Sequence, residues 1–183
     1  MARVNSKKKG NRGELAICKL LSEHFGEKFN RVPASGAIST IHQLQTNSAR
    51  TLAGDLITPD NFKFSIENKY GYDIDLYNLF QSDNGDKRKF IDFIEQAKFD
   101  AQKVDGLLPM VIYTRTRKKP LVGFSKNNLD NVLLSLLDQF FSIKIEKIVK
   151  DSSGFSGKNT DVWIFADLSE VLNKFPKEFF FKV

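Results

Sequence analysis

The sequence has few of the residues that cross-link small proteins or bind zinc in them. Cys18 is the only cysteine, and the only histidines are His24 and His42. A single cysteine excludes a disulfide within one chain, and we expect Cys18 to pack in the core from the first helix. The two histidines lack partners at the spacing of zinc ligands, so we expect them to be packing or surface residues. The composition therefore excludes a disulfide scaffold and disfavours a zinc site.

Long apolar runs are also absent. No run is long enough to span a membrane, and the charged N-terminal segment lacks the apolar core of a signal peptide. The glycines of Ser153–Lys158 do not have the spacing of a phosphate-binding P-loop, and a hairpin loop accounts for them better. We therefore expect an intracellular, cytoplasmic protein with no membrane segment and no nucleotide cofactor.

Positive charge, by contrast, is in excess. The chain has 183 residues, a net charge of +6 and a pI near 9.3. This length predicts one domain, which we place at residues 13–183 after a flexible basic arm at residues 1–12. Such an arm suits phosphate backbones, although a merely solubilising terminus is the alternative. The candidate DNA-binding residues of the arm are Lys7, Lys8, Lys9 and Arg12.

A second basic cluster, Arg115–Lys119, lies between two predicted strands and includes Arg117. Charges at a hairpin tip are usually only solvated. The alternative is that this turn contacts DNA beside an active site.

Two carboxylates and a lysine form the most informative pattern. The segment Ala53–Thr58 predicts a short strand, and Phe62–Tyr70 predicts a second strand after a turn. Side chains alternate along a strand, so Glu67 and Lys69 point the same way, opposite Phe64 and Ile66. Together with Asp55 they would provide two oxygen donors for a hard divalent cation and a lysine beside the water that it activates. The alternative is an exposed strand face on which these charges are solvated.

The segments before this pattern add a third acid and a polar loop. Glu14 lies at the start of an amphipathic helix that Gly26 ends, so it is either a favourable charge at a helix start or a third metal-binding carboxylate. Arg31–Gly36 leads into a long polar stretch. Ser35 could meet a phosphate there, or could belong to an ordinary turn.

Taken in order, these motifs resemble the PD-(D/E)XK nuclease superfamily, and within it the archaeal-type Holliday junction resolvases and their virus-encoded relatives. The motifs are Lys9-Gly10-x-x-Gly13-Glu14, Arg31-x-Pro33-x-Ser35-Gly36, Gly54-Asp55 and Glu67-x-Lys69, with looser agreement continuing past residue 125. The sequence departs from the pattern at Gly54, where the superfamily has proline, and in two longer polar stretches, Gly36–Gly54 and Tyr70–Arg88.

The resemblance implies roles for single residues. Asp55 and Glu67 would bind Mg²⁺ or Mn²⁺, Lys69 would orient the attacking water, and Glu14 would be the helix-borne acid that completes the metal site. Contacts to the substrate would come from Arg31, Ser35 and Gln96. The implied reaction is hydrolysis of a phosphodiester bond that leaves a 5′-phosphate.

The remaining patterns predict an α/β fold, a restriction-endonuclease-like mixed central β-sheet flanked by helices. Helices are predicted around Lys89–Val104 and Asn127–Phe141, the latter with an apolar stripe that includes Val132 and Phe140. The C-terminal phenylalanines, Phe175 and Phe179–Phe181, are expected to pack on the core or across a dimer interface.

From these observations we expect a metal-dependent DNA endonuclease that cleaves four-way junctions as a homodimer, since two opposed strands need two active sites. Three alternatives stay open: a restriction-type or repair nuclease of the same superfamily, a catalytically inert DNA-binding module, and a nuclease that acts on RNA.

Overall fold

The structure is a computed structural model that describes residues 6–32, 53–74, 85–137, 142–149 and 159–182. At residues 6–8, 87, 142–149, 159 and 160 it describes the backbone only. The elements are α1 (Ser6–Phe25), β1 (Asn30–Arg31), β2 (Leu56–Ile57), β3 (Phe64–Tyr70), α2 (Gly85–Ala101), β4 (Leu108–Thr114), β5 (Leu121–Ser125), a 3-10 turn (Lys126–Asn128), α3 (Asn131–Leu137), β6 (Ser142–Val149), β7 (Asn159–Asp167), α4 (Leu168–Lys174) and α5 (Lys177–Phe180).

Five strands form one mixed sheet in the order β3-β4-β5-β7-β6. β3 and β4 are parallel, and the connection between them contains α2, as a parallel crossover requires. The other neighbours are antiparallel. β1 and β2 form a separate antiparallel pair beside β3. The predicted α/β class with a mixed sheet flanked by helices is confirmed.

Alternating side chains of the sheet supply two hydrophobic layers, one on each face. In β4, Met110 and Ile112 pack with residues of α1 and the C-terminal helices, whereas Val111 and Tyr113 pack against α2. The apolar run of this strand is therefore buried on both sides, which is typical of a strand with a parallel neighbour. Glu67 and Lys69 pair in register with Val111 and Tyr113, so their side chains lie on the α2 side.

The first helix begins earlier than the sequence predicted. α1 starts at Ser6, so Lys7, Lys8, Lys9 and Arg12 of the predicted flexible arm lie in a helix. Gly13 lies where α1 contacts β3: a Cβ atom there would lie 2.3 Å from the Tyr70 Cβ, so only a glycine lets α1 approach β3 so closely. The proposed division at residue 12 thus falls inside one continuous helix.

Two further expectations change. The helix predicted over Asn127–Phe141 is a 3-10 turn followed by α3, and Val132, placed in its apolar stripe, is 68% exposed. Phe140 lies outside the described residues, as do His42, Ser35 and the Ser153–Lys158 loop.

The core predictions for Cys18 and the C-terminus are confirmed. Cys18 is buried, and Phe179–Phe181 pack against aromatic rings of β3 and the residues before it. Within the described ranges, no helix has the length and apolar character needed to cross a bilayer.

Candidate active site

A left-handed glycine aims Asp55 at β3. Gly54 has φ +87 and forms a parallel bridge with Ile66, whose carbonyl oxygen would lie 2.5 Å from a Cβ atom at Gly54. The Asp55 amide donates to this same carbonyl at 2.8 Å, and the Asp55 Oδ2 accepts from the Asn68 amide at 2.9 Å. Proline cannot adopt a positive φ, so this backbone conformation requires a residue other than the proline that the superfamily has at this position, and glycine adopts it without strain.

Glu67 lies beneath α2 and is only 1% exposed. Its Oε1 pairs with the Lys69 ammonium, and its Oε2 has no hydrogen-bond partner among the residues that the structure describes. Ser65, on the same face, is equally buried. The alternative of a solvated strand face is therefore wrong, because Glu67 and Ser65 are buried. A buried carboxylate oxygen without a hydrogen-bond partner is costly and calls for an explanation.

The electrostatics of both acids reflect this burial. Desolvation, with the nearby Asp55 charge as the next cause, raises the pKa of Glu67 to about 8. Desolvation also raises the pKa of Asp55 to about 6, and the hydrogen bond from the Asn68 amide and the charge of Lys69 oppose this increase. A divalent cation bound beside these two acids would stabilise their ionised forms and lower both pKa values.

Lys69 is held from three sides. Besides Glu67, its ammonium donates to the Gln96 Oε1 at 2.8 Å and lies 5.2 Å from the centroid of the Phe93 ring. Phe93 and Gln96 are three residues apart on α2, so one helical turn supplies both contacts. This arrangement fixes a positive charge beside the carboxylates.

Glu14 takes a different partner from the one predicted. Its Oε2 accepts from the Arg31 Nε at 2.5 Å, which joins α1 to β1. Within the described part of the chain, no three acids, histidines or cysteines come close enough to hold a metal ion together. Glu14 as a third ligand stays a prediction, and Arg31 contacts Glu14 rather than being poised toward solvent.

A cavity of about 320 Å³ gives access to this region. It is lined by Lys9, Gly10, Glu14, Asp55, Asn68, Lys69, Tyr70, Gly71 and Tyr72. Three of the four predicted catalytic residues, Glu14, Asp55 and Lys69, therefore line one cavity, and the fourth, Glu67, pairs with Lys69. The cavity is open to solvent between the start of α1 and the end of β3, where a phosphate group could enter.

The predicted substrate-binding residues do not all lie at this cavity. Lys9 lines the cavity, but its ammonium already donates to the Gly71 carbonyl at 2.7 Å. Arg12 is exposed on α1, and Arg117 is exposed at the tip of the β4–β5 turn. Gln96 contacts Lys69. The side chains of Lys7 and Lys8, and all of Ser35, lie outside the described part.

Sequence reasoning missed the residues that hold the predicted catalytic groups in place. Phe93 contacts Lys69 and packs against Tyr72, and the backbone amide of Asn68 orients Asp55. Phe93 lies in the helix predicted around Lys89–Val104, but no pattern links a phenylalanine to a lysine 24 positions earlier in the chain. Only the crossover from β3 through α2 brings them together.

The donor set fits a hard divalent cation. Asp55 and Glu67 are oxygen ligands of the type that Mg²⁺ and Mn²⁺ prefer, and the unpartnered Oε2 of Glu67 could coordinate one. The lysine beside them could orient a water molecule or stabilise negative charge on a phosphate.

Comparison with known proteins agrees with this chemistry. The sequence profile of a family described as "Phage putative PDDEXK endonuclease" matches residues 5–182, almost the whole chain. No curated protein and no solved structure matches the chain.

Proposed function

Because the chain belongs to this phage PD-(D/E)XK endonuclease family, we propose that it is a Mg²⁺- or Mn²⁺-dependent DNA endonuclease whose centre is Asp55, Glu67 and Lys69. One observation carries the assignment to these residues. A buried glutamate with an unpartnered oxygen lies beside a second acid of raised pKa and a lysine held by α2.

Each side chain has a defined task in this proposal. Asp55 and Glu67 would hold the ion, which when bound supplies an acidified water and neutralises charge on the phosphate. Lys69 would keep its place through Gln96, Phe93 and the Glu67 Oε1, which leaves the unpartnered Oε2 of Glu67 for the ion. From that position its ammonium can orient the attacking water and stabilise the charge that develops on the phosphate oxygens. Glu14, paired with Arg31, would complete the shell.

Within this function we propose a four-way DNA junction as the preferred substrate and a homodimer as the active form. The support is the resemblance of the sequence motifs to junction resolvases, together with the basic surface near the cavity. Cutting two opposed strands at a near-symmetric branch requires two active sites in matching positions. Sedimentation of the protein with and without a junction would measure the number of subunits.

The test compares a labelled four-way DNA junction with a linear DNA duplex and an RNA duplex of the same sequence, in Mg²⁺, for the wild type, Glu67→Gln and Lys69→Met. Paired cuts in the junction alone, lost in both variants, would support the proposal. Cutting of the duplex would favour a restriction-type or repair nuclease, and cutting of RNA alone would make RNA the substrate. Binding without any Glu67-dependent cleavage would favour an inert DNA-binding module.

A further inference from the structure

An aromatic side chain stands in solvent at the edge of the catalytic cavity. Four large apolar side chains in the described part of the chain are well exposed, namely Leu15, Tyr72, Phe99 and Val132. Tyr72, at 46% exposed, is the one among these four that lines the cavity with Asp55 and Lys69. An exposed aromatic residue in the lining of the same cavity as Asp55 calls for an explanation that scattered surface residues do not need.

The backbone that carries Tyr72 is firmly held. The Gly71 amide donates to the Thr114 carbonyl at 2.6 Å, and the Gly71 carbonyl accepts from Lys9 at 2.7 Å. The buried Tyr113 hydroxyl donates to the Tyr72 carbonyl at 2.9 Å. Asp73 pairs with Arg115 at 2.5 Å. The fold therefore fixes the backbone of an exposed aromatic residue before any ligand arrives.

The ring of Tyr72 is linked to the catalytic lysine through one neighbour. Its centroid lies 5.0 Å from that of Phe93 at an interplanar angle of 61°, and Phe93 in turn lies 5.2 Å from the Lys69 ammonium. This edge-type contact orients the Tyr72 ring but leaves nearly half of the residue open to solvent. A preoriented aromatic ring loses little entropy when a second ring stacks on it.

We propose that Tyr72 is a stacking platform for an unstacked base beside the scissile phosphate. The substrate class would then be DNA with an unstacked nucleotide next to the cleavage point, as at a branch point or a single-stranded end. Every base has a π-face, so such a platform is tolerant of sequence. In an intact duplex the faces of the bases are occupied by their neighbours, and the platform has nothing to bind. The inference rests on the proposed function for the place of the scissile phosphate.

The surroundings of Tyr72 match this ligand. Register places Tyr70 beside Thr114, so the basic β4–β5 turn begins next to Tyr72, and Lys9 lies on the other side of the same segment. Positive groups on both sides suit the backbone of a strand whose base stacks between them. Aromatic stacking combined with flanking positive charge is the pattern that binds single strands without sequence preference.

The test measures binding of the full-length protein to DNA in EDTA, which separates it from catalysis. The probe is a branched DNA with 2-aminopurine at an unpaired position, with the matching fully paired duplex as reference. The wild type, Tyr72→Phe and Tyr72→Trp should quench the fluorescence of the unpaired probe. Tyr72→Ala and Tyr72→Leu should lose the quenching and bind the branched DNA on the order of tenfold less tightly, with duplex affinity unchanged.

Two controls keep this experiment decisive. Tyr72→Leu retains apolar packing on Phe93, so its loss of quenching cannot be assigned to a hole beside that ring. Phe99→Ala removes an exposed aromatic residue of α2 that does not line the cavity, and it should leave both affinities unchanged. Retained quenching in Tyr72→Ala, or an equal loss on duplex, would overturn the inference. Failure of the proposed function would show instead as an absence of metal-dependent cleavage by the wild type.

Discussion

Backbone geometry at one residue decides where the Asp55 carboxylate points. Gly54 combines a positive φ with a close approach to the Ile66 carbonyl, and the Asp55 amide binds that same oxygen. A side chain at position 54 would strain the backbone and push β2 away from β3. The position of Asp55 relative to Glu67 therefore depends on Gly54, a residue that has no reactive side chain.

Replacing Gly54 with alanine should cost at least ~1–2 kcal/mol of stability and most of the cleavage activity, because the left-handed strain and the clash add. Thermal unfolding and a cleavage assay measure the two effects. Gly26→Ala is the matched control, since Gly26 also has a positive φ but an added Cβ would meet nothing within 4 Å. Equal effects of the two substitutions would contradict the role assigned to the Ile66 contact.

Glu67 should make the metal-free protein less stable as pH rises. Its pKa is raised from 4.5 to about 8 in the folded state, so the folded protein binds the extra proton more tightly than the unfolded chain. The stability that this proton contributes is fully present below about pH 4.5 and is lost as pH rises through about 8.

We therefore expect Glu67→Gln to raise the melting temperature in EDTA at pH 8.5, by several degrees, and to raise it much less at pH 4.5. The effect of Glu23→Gln on the melting temperature should not depend on pH in this way, because Glu23 is exposed on the surface of α1. A Glu67→Gln variant that is less stable than the wild type at pH 8.5 would refute the burial argument.

At the scale of elements, the contact between α1 and β3 fixes one wall of the cavity. Two glycines on α1 face this region, and they differ in what a methyl group would meet. At Gly13 it would lie 2.3 Å from the Tyr70 Cβ, whereas at Gly10 the nearest atom is the Glu14 Oε1 at 3.9 Å.

Gly13→Ala should therefore destabilise the protein by about 2 kcal/mol or more and reduce cleavage, because α1 must move away from β3 and take Glu14 with it. Gly10→Ala fits the space and should be neutral or stabilising by up to ~1 kcal/mol through helix propensity. Chemical denaturation of both variants measures the difference. A Gly13→Ala protein as stable as Gly10→Ala would show that the two elements can separate freely.

The β4–β5 turn offers a substitution that separates stability from DNA binding. Arg117 is the only residue other than glycine with a positive φ in the described part of the chain, at 62°, and the Lys118 amide closes the turn on the Arg115 carbonyl at 3.0 Å. Glycine adopts this conformation without strain.

Arg117→Gly should leave stability unchanged or raise it by up to about 1 kcal/mol. DNA binding should weaken, and the slope of log affinity against log salt concentration should become smaller by about 1. Lys182→Ala is the control, because Lys182 lies near Gly106, at the opposite end of the sheet. Affinity measured over a range of salt concentrations tests the expectation. An unchanged salt dependence in Arg117→Gly would remove this turn from the DNA-binding surface.

At the scale of the whole molecule, local patterns predicted the local parts of the site. Alternation in β3 placed Glu67 and Lys69 on one face, and the turn after Ala53–Thr58 brought Asp55 near them. The burial of that face could not be predicted, because it depends on the packing of α2 over β3, a tertiary contact that the pattern of a single strand does not show. The lysines before Gly13 predicted an arm because sequence alone does not show that α1 packs on Tyr70.

The central claim is that Asp55 and Glu67 together hold the divalent cation of a nuclease. Titration of Mn²⁺ followed by electron paramagnetic resonance measures this directly, in the wild type, Asp55→Asn, Glu67→Gln and the surface control Glu23→Gln. The wild type and the control should bind Mn²⁺ at a site that both active-site variants weaken by tenfold or more. Equal Mn²⁺ affinity in all four proteins would contradict the account.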